Sequence, residues 1–260
     1  MKIQTAERVS RKDLSDNFVF QRSILAYLEA SKIVSGNVLE IGAGNGYGVP
    51  IIAPRTNKYT TIDKYDKQNE NIENVEFIKM NIPPLIGLAD NSYDFVIAFQ
   101  VIEHIENDKE FVKEIYRVLK PNGKLIVTTP NKKMSLTRNP WHIREYTISE
   151  LDNLLMGHFK SVKKMGVFGN SNIMEYYNLN KLLVKKITRF DIFNLQYELP
   201  RYLLQLPYDI FNRINRKKLL KNNTSLVSQI SIDDYYMKDA IDDCFDLFFV
   251  SEKTTTPIFM

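Results

Sequence analysis

The sequence contains very little cysteine and histidine. Cys244 is the one cysteine among 260 residues, and the histidines are His104, His142 and His158. A single cysteine excludes a disulfide framework and a zinc site built from several cysteines. Three histidines leave little material for a histidine metal cluster, so we expect no metal centre.

Long hydrophobic runs and a strong charge bias are also absent. No apolar run approaches the roughly 20 residues of a membrane-spanning helix. Residues 1–17 are polar and mixed in charge, unlike a signal peptide. Lys and Arg outnumber Asp and Glu by only 35 to 31, a net charge of +4 that does not by itself indicate nucleic-acid binding. These features predict a cytoplasmic protein.

Short apolar runs alternate with amphipathic stretches along the chain. The runs predict strands at residues 37–41, 58–62, 75–80, 93–99, 124–129, 160–168 and 245–250. Apolar spacing predicts helices at 18–34 and 108–119, and a short helix from residue 46 that Pro54 ends. Strands alternating with helices imply an α/β fold with a parallel sheet and right-handed crossovers.

The segment before the last predicted strand has a different composition. Residues 172–221 are helix-prone and carry ten Lys or Arg against four Asp or Glu, whereas residues 233–246 hold six Asp and one Lys. Such regions most simply face each other or water. We expect one domain over residues 1–260, with a helical insertion at 172–229 that could serve as a lid, an acceptor platform or a dimer contact.

The most informative motif is the glycine-rich run that follows the first predicted strand. It reads Val38-Leu39-Glu40-Ile41-Gly42-Ala43-Gly44-Asn45-Gly46-Tyr47-Gly48. Glycines after a strand let the backbone turn and approach a ligand, although a plain strand–helix turn also uses them. The dinucleotide fingerprint needs glycine where Tyr47 stands, and Glu40 would repel a pyrophosphate. A nicotinamide-dependent oxidoreductase is therefore disfavoured.

The Glu-x-Gly-x-Gly-x-Gly spacing resembles motif I of the class I S-adenosylmethionine-dependent methyltransferases. Residues 93–105 and 117–131 are similar to two further blocks of that family, and residues 139–147 to a block of a bacterial and archaeal subgroup tied to glycan or small-metabolite modification. The resemblance covers about half of the chain. It implies a Rossmann-like, seven-stranded, mostly parallel sheet with strand order 3-2-1-4-5-7-6.

The resemblance also implies S-adenosylmethionine as cofactor. Its binding residues would lie at the carboxyl ends of the strands: Glu40, Gly42, Ala43, Gly44, Gly46, Asp63, Lys64, Asn81, Ile82 and Gln100. Asp63 would accept hydrogen bonds from both ribose hydroxyls, although alone it could be a helix N-cap. Asn81 stands where the family usually has an aspartate against the adenine amine, and its side-chain oxygen can still accept. Glu40 would place negative charge near the ammonium and sulfonium. Glu7 and Arg8 would fold back over the site.

Few groups are needed for methyl transfer, because a sulfonium methyl is already activated and mainly requires alignment. A hydroxyl acceptor would benefit from a base, and the candidates are His104 and His142. Each could equally be a structural hydrogen-bonding residue. Arg144, Glu145 and Tyr146 would line the acceptor pocket beside His142. His158 is expected to be structural.

The favoured function is S-adenosylmethionine-dependent O-methylation of a small-molecule, sugar or lipid-linked acceptor, and an anionic acceptor would suit the basic helices. One alternative is a catalytically inactive cofactor-binding scaffold. Another is a nucleic-acid methyltransferase. The Asn/Asp-Pro-Pro-Tyr/Phe motif of amino-directed base methylation would follow the fourth strand, where Phe99-Gln100-Val101-Ile102 stands instead, so this alternative is disfavoured.

Overall fold

The structure, a computed structural model, describes residues 9–65, 72–191 and 194–254. The described residues form one central sheet of eight strands. These are β1 (Asn37–Ile41), β2 (Lys58–Asp63), β3 (Val75–Lys79), β4 (Tyr93–Phe99), β5 (Leu119–Pro130), β6 (Ser161–Gly169), β7 (Tyr235–Asp239) and β8 (Asp246–Glu252). Glu7 and Arg8, expected over the site, lie outside the described residues.

The strands run in the order β3-β2-β1-β4-β5-β8-β6-β7. The first five pair in parallel, whereas β8 pairs antiparallel with both β5 and β6, and β7 pairs antiparallel with β6. Six strands therefore point the same way. The α/β class and the expected order of seven strands are confirmed, and β7 is an eighth strand at the edge.

Helices cover both faces of this sheet. They are α1 (Asn17–Ser31), α2 (Val49–Ile52), α3 (Asp108–Val118), α4 (Ile148–Met156), α5 (Ser171–Thr188), α6 (Leu195–Glu198), α7 (Arg201–Asn222) and α8 (Thr224–Gln229). One apolar core contains Phe111 of α3 and Leu151 of α4, and a second contains Ala30 of α1 and Ile52 of α2. None of the described helices has both the length and the apolar character that a bilayer crossing demands.

Several expected elements differ from the structure. Strand β5 begins at Leu119, which pairs with Tyr93 of β4. The Pro121-Asn122-Gly123 segment lies within the strand at a shift in the pairing register, and Asn122 there has a φ of +62°. Helix α2 begins at Val49, and Pro54 lies inside a single 3₁₀ turn that follows it. Strand β7 falls in the acidic segment, where aspartates at both ends mask a short run of strand formers.

Helices α5 to α8 lie between β6 and β7 in the chain and form a third apolar cluster with Phe18 and Phe245. An ionic contact anchors them to the N-terminal region. Arg213 and Arg216 of α7 each place a guanidinium nitrogen on Asp16 Oδ1, at 2.7 and 2.8 Å, and the Asp16 side chain is fully buried. The description of these helices as a functional insertion stays a prediction.

Candidate active site

The glycine loop after β1 has the backbone shape expected for close ligand approach. Gly42 and Gly44 have φ values of +79° and +54°, which side-chain-bearing residues rarely adopt. A Cβ on Gly42 would collide with the Val101 side chain, whereas the nearest atom to a Cβ on Gly44 is 4.0 Å away. The space beside Gly44 is therefore open to a bound molecule.

Asp63 ends β2 directly beside this loop. Its Oδ2 accepts a hydrogen bond from the Gly44 N–H, and its Oδ1 accepts one from the Tyr65 N–H, both at 2.9 Å. Each carboxylate oxygen retains a lone pair for a further donor. Met80 N–H donates to the Asp63 carbonyl at 2.9 Å, which brings Asn81 to the same edge of the sheet.

The remaining expected cofactor residues extend this edge. Lys64 and Asn81 are exposed, and Ile82 packs partly against the core. Ala43 and Gly46 are buried within the glycine loop. All of them lie where parallel strands end, which is where ligands bind in open α/β sheets.

Gln100 follows β4, next to the point where strand order reverses. Its φ of +55° is unusual for a residue with a side chain, and such conformations persist where the surroundings enforce them. The surroundings here are Thr128 of β5, whose carbonyl accepts from the Gln100 N–H at 2.9 Å and whose hydroxyl accepts from the amide at 3.3 Å.

Glu40 is more deeply buried than the sequence suggests. The hydroxyls of Tyr27 and Tyr59 donate to its two oxygens at 2.6 and 2.5 Å. Burial raises the pKa of Glu40 above its ordinary value, against the opposing effect of these two hydrogen bonds. Tyr27, not Glu40, lines the neighbouring cavity. Any electrostatic effect of the Glu40 carboxylate on a bound ligand would therefore act across the Tyr27 side chain.

A cavity of about 660 Å³ begins at the glycine loop. It passes Gln100, continues along the loop after β5, and ends against α5 and α7, where Tyr177, Pro207 and Phe211 line it. This volume falls in the range of small-molecule sites. One space thus connects the glycine loop with the helices between β6 and β7.

His142 and Glu145 lie on the wall of this cavity. His142 Nδ1 is 2.8 Å from Glu145 Oε1, and its Nε2 is 2.9 Å from the Asn139 amide nitrogen. The Ser135 hydroxyl donates to the other oxygen of Glu145. The loop is itself fixed from α7, because Trp141 Nε1 donates to Asp209 at 3.0 Å.

His104 lies behind His142 and is not part of the cavity wall. Its Nδ1 is 3.0 Å from the Trp141 carbonyl oxygen, and the two imidazole rings meet edge to face with centroids 5.0 Å apart. Glu103, fully buried, completes a cluster in which one donor atom from each residue lies within 4.8 Å of the others. Two histidines and a carboxylate are a donor set that transition metals accept, although the sequence offered little for such a cluster.

Two comparisons with known proteins identify the family of this chain. A family described as "Methyltransferase domain" matches residues 39–127. A protein of Mycolicibacterium smegmatis described as a probable S-adenosylmethionine-dependent methyltransferase is 32% identical over 182 residues, which cover 66% of this chain and 70% of that one. The chain belongs to the S-adenosylmethionine-dependent methyltransferases. Its cofactor is S-adenosylmethionine, as the glycine loop implied.

Other relatives of this methyltransferase match over shorter segments. A Mycobacterium tuberculosis protein with the same description is 36% identical over 165 residues, covering 59% of this chain and 60% of that one. The ubiquinone biosynthesis O-methyltransferase of Rickettsia typhi is 29% identical over 126 residues, covering 44% of this chain and 48% of that one. The chain thus spans only part of the length of these two relatives.

Solved structures show the same fold. The YcgJ protein of Bacillus subtilis has a TM-score of 0.51 and 14% identity, covering 92% of this chain and all of that one. A Thermotoga maritima S-adenosylmethionine-dependent methyltransferase has a TM-score of 0.52 and 18% identity, with 91% and 92% covered. The methyltransferase therefore shares its fold with these proteins. A shared fold does not identify the acceptor.

The residues present fit the cofactor. The open space beside Gly44 would admit the part of the cofactor that contacts the loop backbone. Asp63 can still accept hydrogen bonds from hydroxyl groups of the cofactor. A buried ion pair that the sequence did not reveal lies on the cavity wall: Arg22 Nε is 2.8 Å from Asp246 Oδ2. Burial raises the pKa of Asp246, against the opposing effects of the Arg22 charge and a hydrogen bond from the Gln100 side chain.

Two expected acceptor residues of the methyltransferase lie elsewhere. Arg144 forms an ion pair with Asp108 at the start of α3, and the Tyr146 hydroxyl donates to the same carboxylate at 2.8 Å. Neither residue lines the cavity. They differ from the expectation because the Asp108 carboxylate holds both side chains against the start of α3. His142 and Glu145 of the same loop line the cavity.

Proposed function

We propose that this methyltransferase transfers a methyl group to a hydroxyl oxygen of a small-molecule, sugar or lipid-linked acceptor. The main support is the His142–Glu145 pair on the wall of the cavity that begins at the glycine loop. The printed name of the Rickettsia relative, an O-methyltransferase, is consistent with a hydroxyl acceptor.

The hydrogen bonds around His142 favour one tautomer of its ring. A carboxylate only accepts, so Nδ1 carries the proton that is donated to Glu145. The Asn139 side-chain oxygen accepts from the Trp141 N–H at 3.1 Å, which turns its amide nitrogen toward His142 Nε2. In this tautomer Nε2 is the ring nitrogen that accepts.

A neutral imidazole with an oriented acceptor nitrogen can serve as a general base. An acceptor hydroxyl that replaces the Asn139 amide at Nε2 would give up its proton to His142 as the oxygen attacks. Glu145 would stabilise the resulting imidazolium, and Ser135 holds Glu145 in place. General bases of this kind contribute about 10²–10⁴-fold to rate.

The other side chains position the reactants. Bound S-adenosylmethionine supplies an activated methyl group, so alignment accounts for much of the rate. The glycine loop and Asp63 would hold the cofactor at one end of the cavity, whose wall also includes Gln100 and His142. The anionic character of the acceptor, the cytoplasmic location and a homodimer stay predictions.

His142→Gln tests the proposed base, with His158→Gln as the matched control. His158 lies outside the cavity, where its ring packs near Tyr116 at 6.0 Å. Both variants should bind S-adenosylhomocysteine normally in calorimetry. Transfer of labelled methyl to an acceptor from cell extract should fall by about 10²-fold or more in His142→Gln alone.

Two results would count against the proposal. Normal turnover of His142→Gln would place the base elsewhere. Binding of S-adenosylhomocysteine without transfer to any extract component would favour the inactive scaffold.

A further inference from the structure

Exposed large apolar side chains are concentrated in one part of the described structure. Of the nineteen that are described, eleven lie between Leu182 and Ile214, on α5 to α7 and their connections. Soluble surfaces usually carry such residues singly, whereas a contiguous group marks an interaction surface. This group of exposed apolar side chains therefore indicates a surface that binds a partner.

Between Leu203 and Arg216, helix α7 turns charged residues inward and apolar residues outward, the inverse of an ordinary surface helix. Its charged residues Asp209, Arg213 and Arg216 face inward, where they pair with Trp141 and Asp16. Its outward face carries apolar side chains that are 44% to 57% exposed: Leu203, Leu206, Ile210 and Ile214. We call these four residues the outer stripe.

Positive charge continues the outer stripe. Lys217, Lys218 and Lys221 are exposed on the last turns of α7, and Lys185 and Lys186 are exposed on α5. The acids of this region are fewer: Asp209 is buried, Asp191 accepts from the Leu195 and Gln196 N–H groups at the start of α6, and two glutamates, Glu175 and Glu198, are exposed. Basic side chains beside an exposed apolar stripe are complementary to an anionic lipid surface.

We propose that the outer stripe and its flanking lysines dock the protein on an anionic lipid bilayer. The apolar side chains enter the boundary between headgroups and acyl chains, while the lysines contact the headgroups. The helix lies in the plane of the surface and does not cross the membrane.

The cavity opens beside this surface. Pro207 and Phe211 of α7 both line the cavity and are exposed to solvent. Three arginines line the cavity: Arg22 and Arg216 form ion pairs with Asp246 and Asp16, and Arg138 donates to the carbonyls of Gln196 and Tyr197. The lysines that flank the outer stripe are not part of the cavity wall. An acceptor with a lipid tail could pass from the bilayer into the cavity past Phe211, a step that rests on the proposed function.

Co-sedimentation with vesicles tests the docking surface. The full chain, with S-adenosylhomocysteine present, should sediment with vesicles of phosphatidylcholine and phosphatidylglycerol and remain in solution with phosphatidylcholine alone. Leu206→Ser/Ile210→Ser should weaken vesicle binding by about tenfold or more. Lys218→Gln/Lys221→Gln should reduce both the binding and its sensitivity to salt. Ile86→Ser is the matched control, because Ile86 is 73% exposed but lies between β3 and β4.

S-adenosylhomocysteine affinity, measured on the same samples, should be equal in all variants, which separates this surface from the active site. Failure of the wild-type protein to bind the anionic vesicles would overturn the proposal, as would unchanged binding by Leu206→Ser/Ile210→Ser. A dimer that this double variant converts to a monomer, without vesicle binding by either form, would show that the stripe joins two copies instead.

Discussion

At the scale of single residues, Asp63 has two tasks. It holds the Gly44 N–H and retains acceptor capacity for the ribose hydroxyls. Asp63→Ala should therefore lower S-adenosylhomocysteine affinity by about tenfold or more, since two hydrogen bonds to a carboxylate are lost. Titration calorimetry measures this change.

Glu76→Ala provides the control for Asp63→Ala. Glu76 lies on neighbouring β3 and forms only an exposed ion pair with Lys58, at 2.6 Å. Its removal should leave the affinity unchanged. An unaltered dissociation constant for Asp63→Ala would mean that other residues hold the ribose.

The position of an individual side chain could be predicted from the sequence only where the residue stands at the end of a predicted strand. Asp63 and Gln100 follow strands, so their place at the sheet edge could be inferred from the sequence. The loop at residues 139–147 has no such periodicity, and the separation of Glu145 from Arg144 and Tyr146 depends on contacts with Asp108. The Arg22–Asp246 pair joins residues too distant in sequence for any local pattern to reveal.

At the scale of elements, the attachment of α7 depends on one buried carboxylate. Asp16 accepts hydrogen bonds from Arg213 and Arg216, and its side chain is fully buried. Asp16→Asn would remove the buried carboxylate that both guanidinium groups share, at a cost of about 3–5 kcal/mol. We expect a lower midpoint in urea unfolding and faster proteolysis within residues 189–201.

Asp13→Asn is the comparison for this element, because Asp13 is more exposed and lies 3.9 Å from the same Arg213. Its effect on the unfolding midpoint should be small. Equal effects of the two substitutions would show that burial of Asp16 does not anchor α7.

Regular elements were easier to predict than irregular ones. The continuous apolar run of β4 and the spaced apolar residues of α3 have strong patterns, and both appear within one residue of the expected bounds. Strand β7 was missed because its stability comes from pairing with β6, not from its own composition. Helix α7 was expected from its composition. Which of its faces turns outward depends on tertiary contacts and could not be predicted.

At the scale of the whole molecule, acid should weaken the fold through Glu114. The Arg117 guanidinium holds the pKa of Glu114 below its ordinary value of 4.5, and the Leu85 N–H also donates to this carboxylate. A folded-state pKa below the unfolded value stabilises the fold above pH 4.5 and loses that contribution as pH falls through the folded value.

Urea unfolding at neutral pH and below pH 4.5 tests this linkage. Glu114→Gln should cost about 1.5–3 kcal/mol at neutral pH and flatten the acid dependence. Glu110→Gln, on an exposed position of the same helix, should leave the dependence as it is. An acid dependence that survives Glu114→Gln would assign it to other carboxylates.

The position of β8 constrains the order in which the chain can fold during synthesis. Among the described strands it is the last in the chain, yet it lies between β5, which ends at Pro130, and β6. Until it leaves the ribosome, β6 and β7 can pair only with each other and have no connection to the parallel half of the sheet. Helices α5 to α8 are synthesised during that interval, before β8 joins β6 to the parallel strands. A nascent chain that stops short of Asp246 should therefore be a good client for chaperones that bind exposed apolar helices.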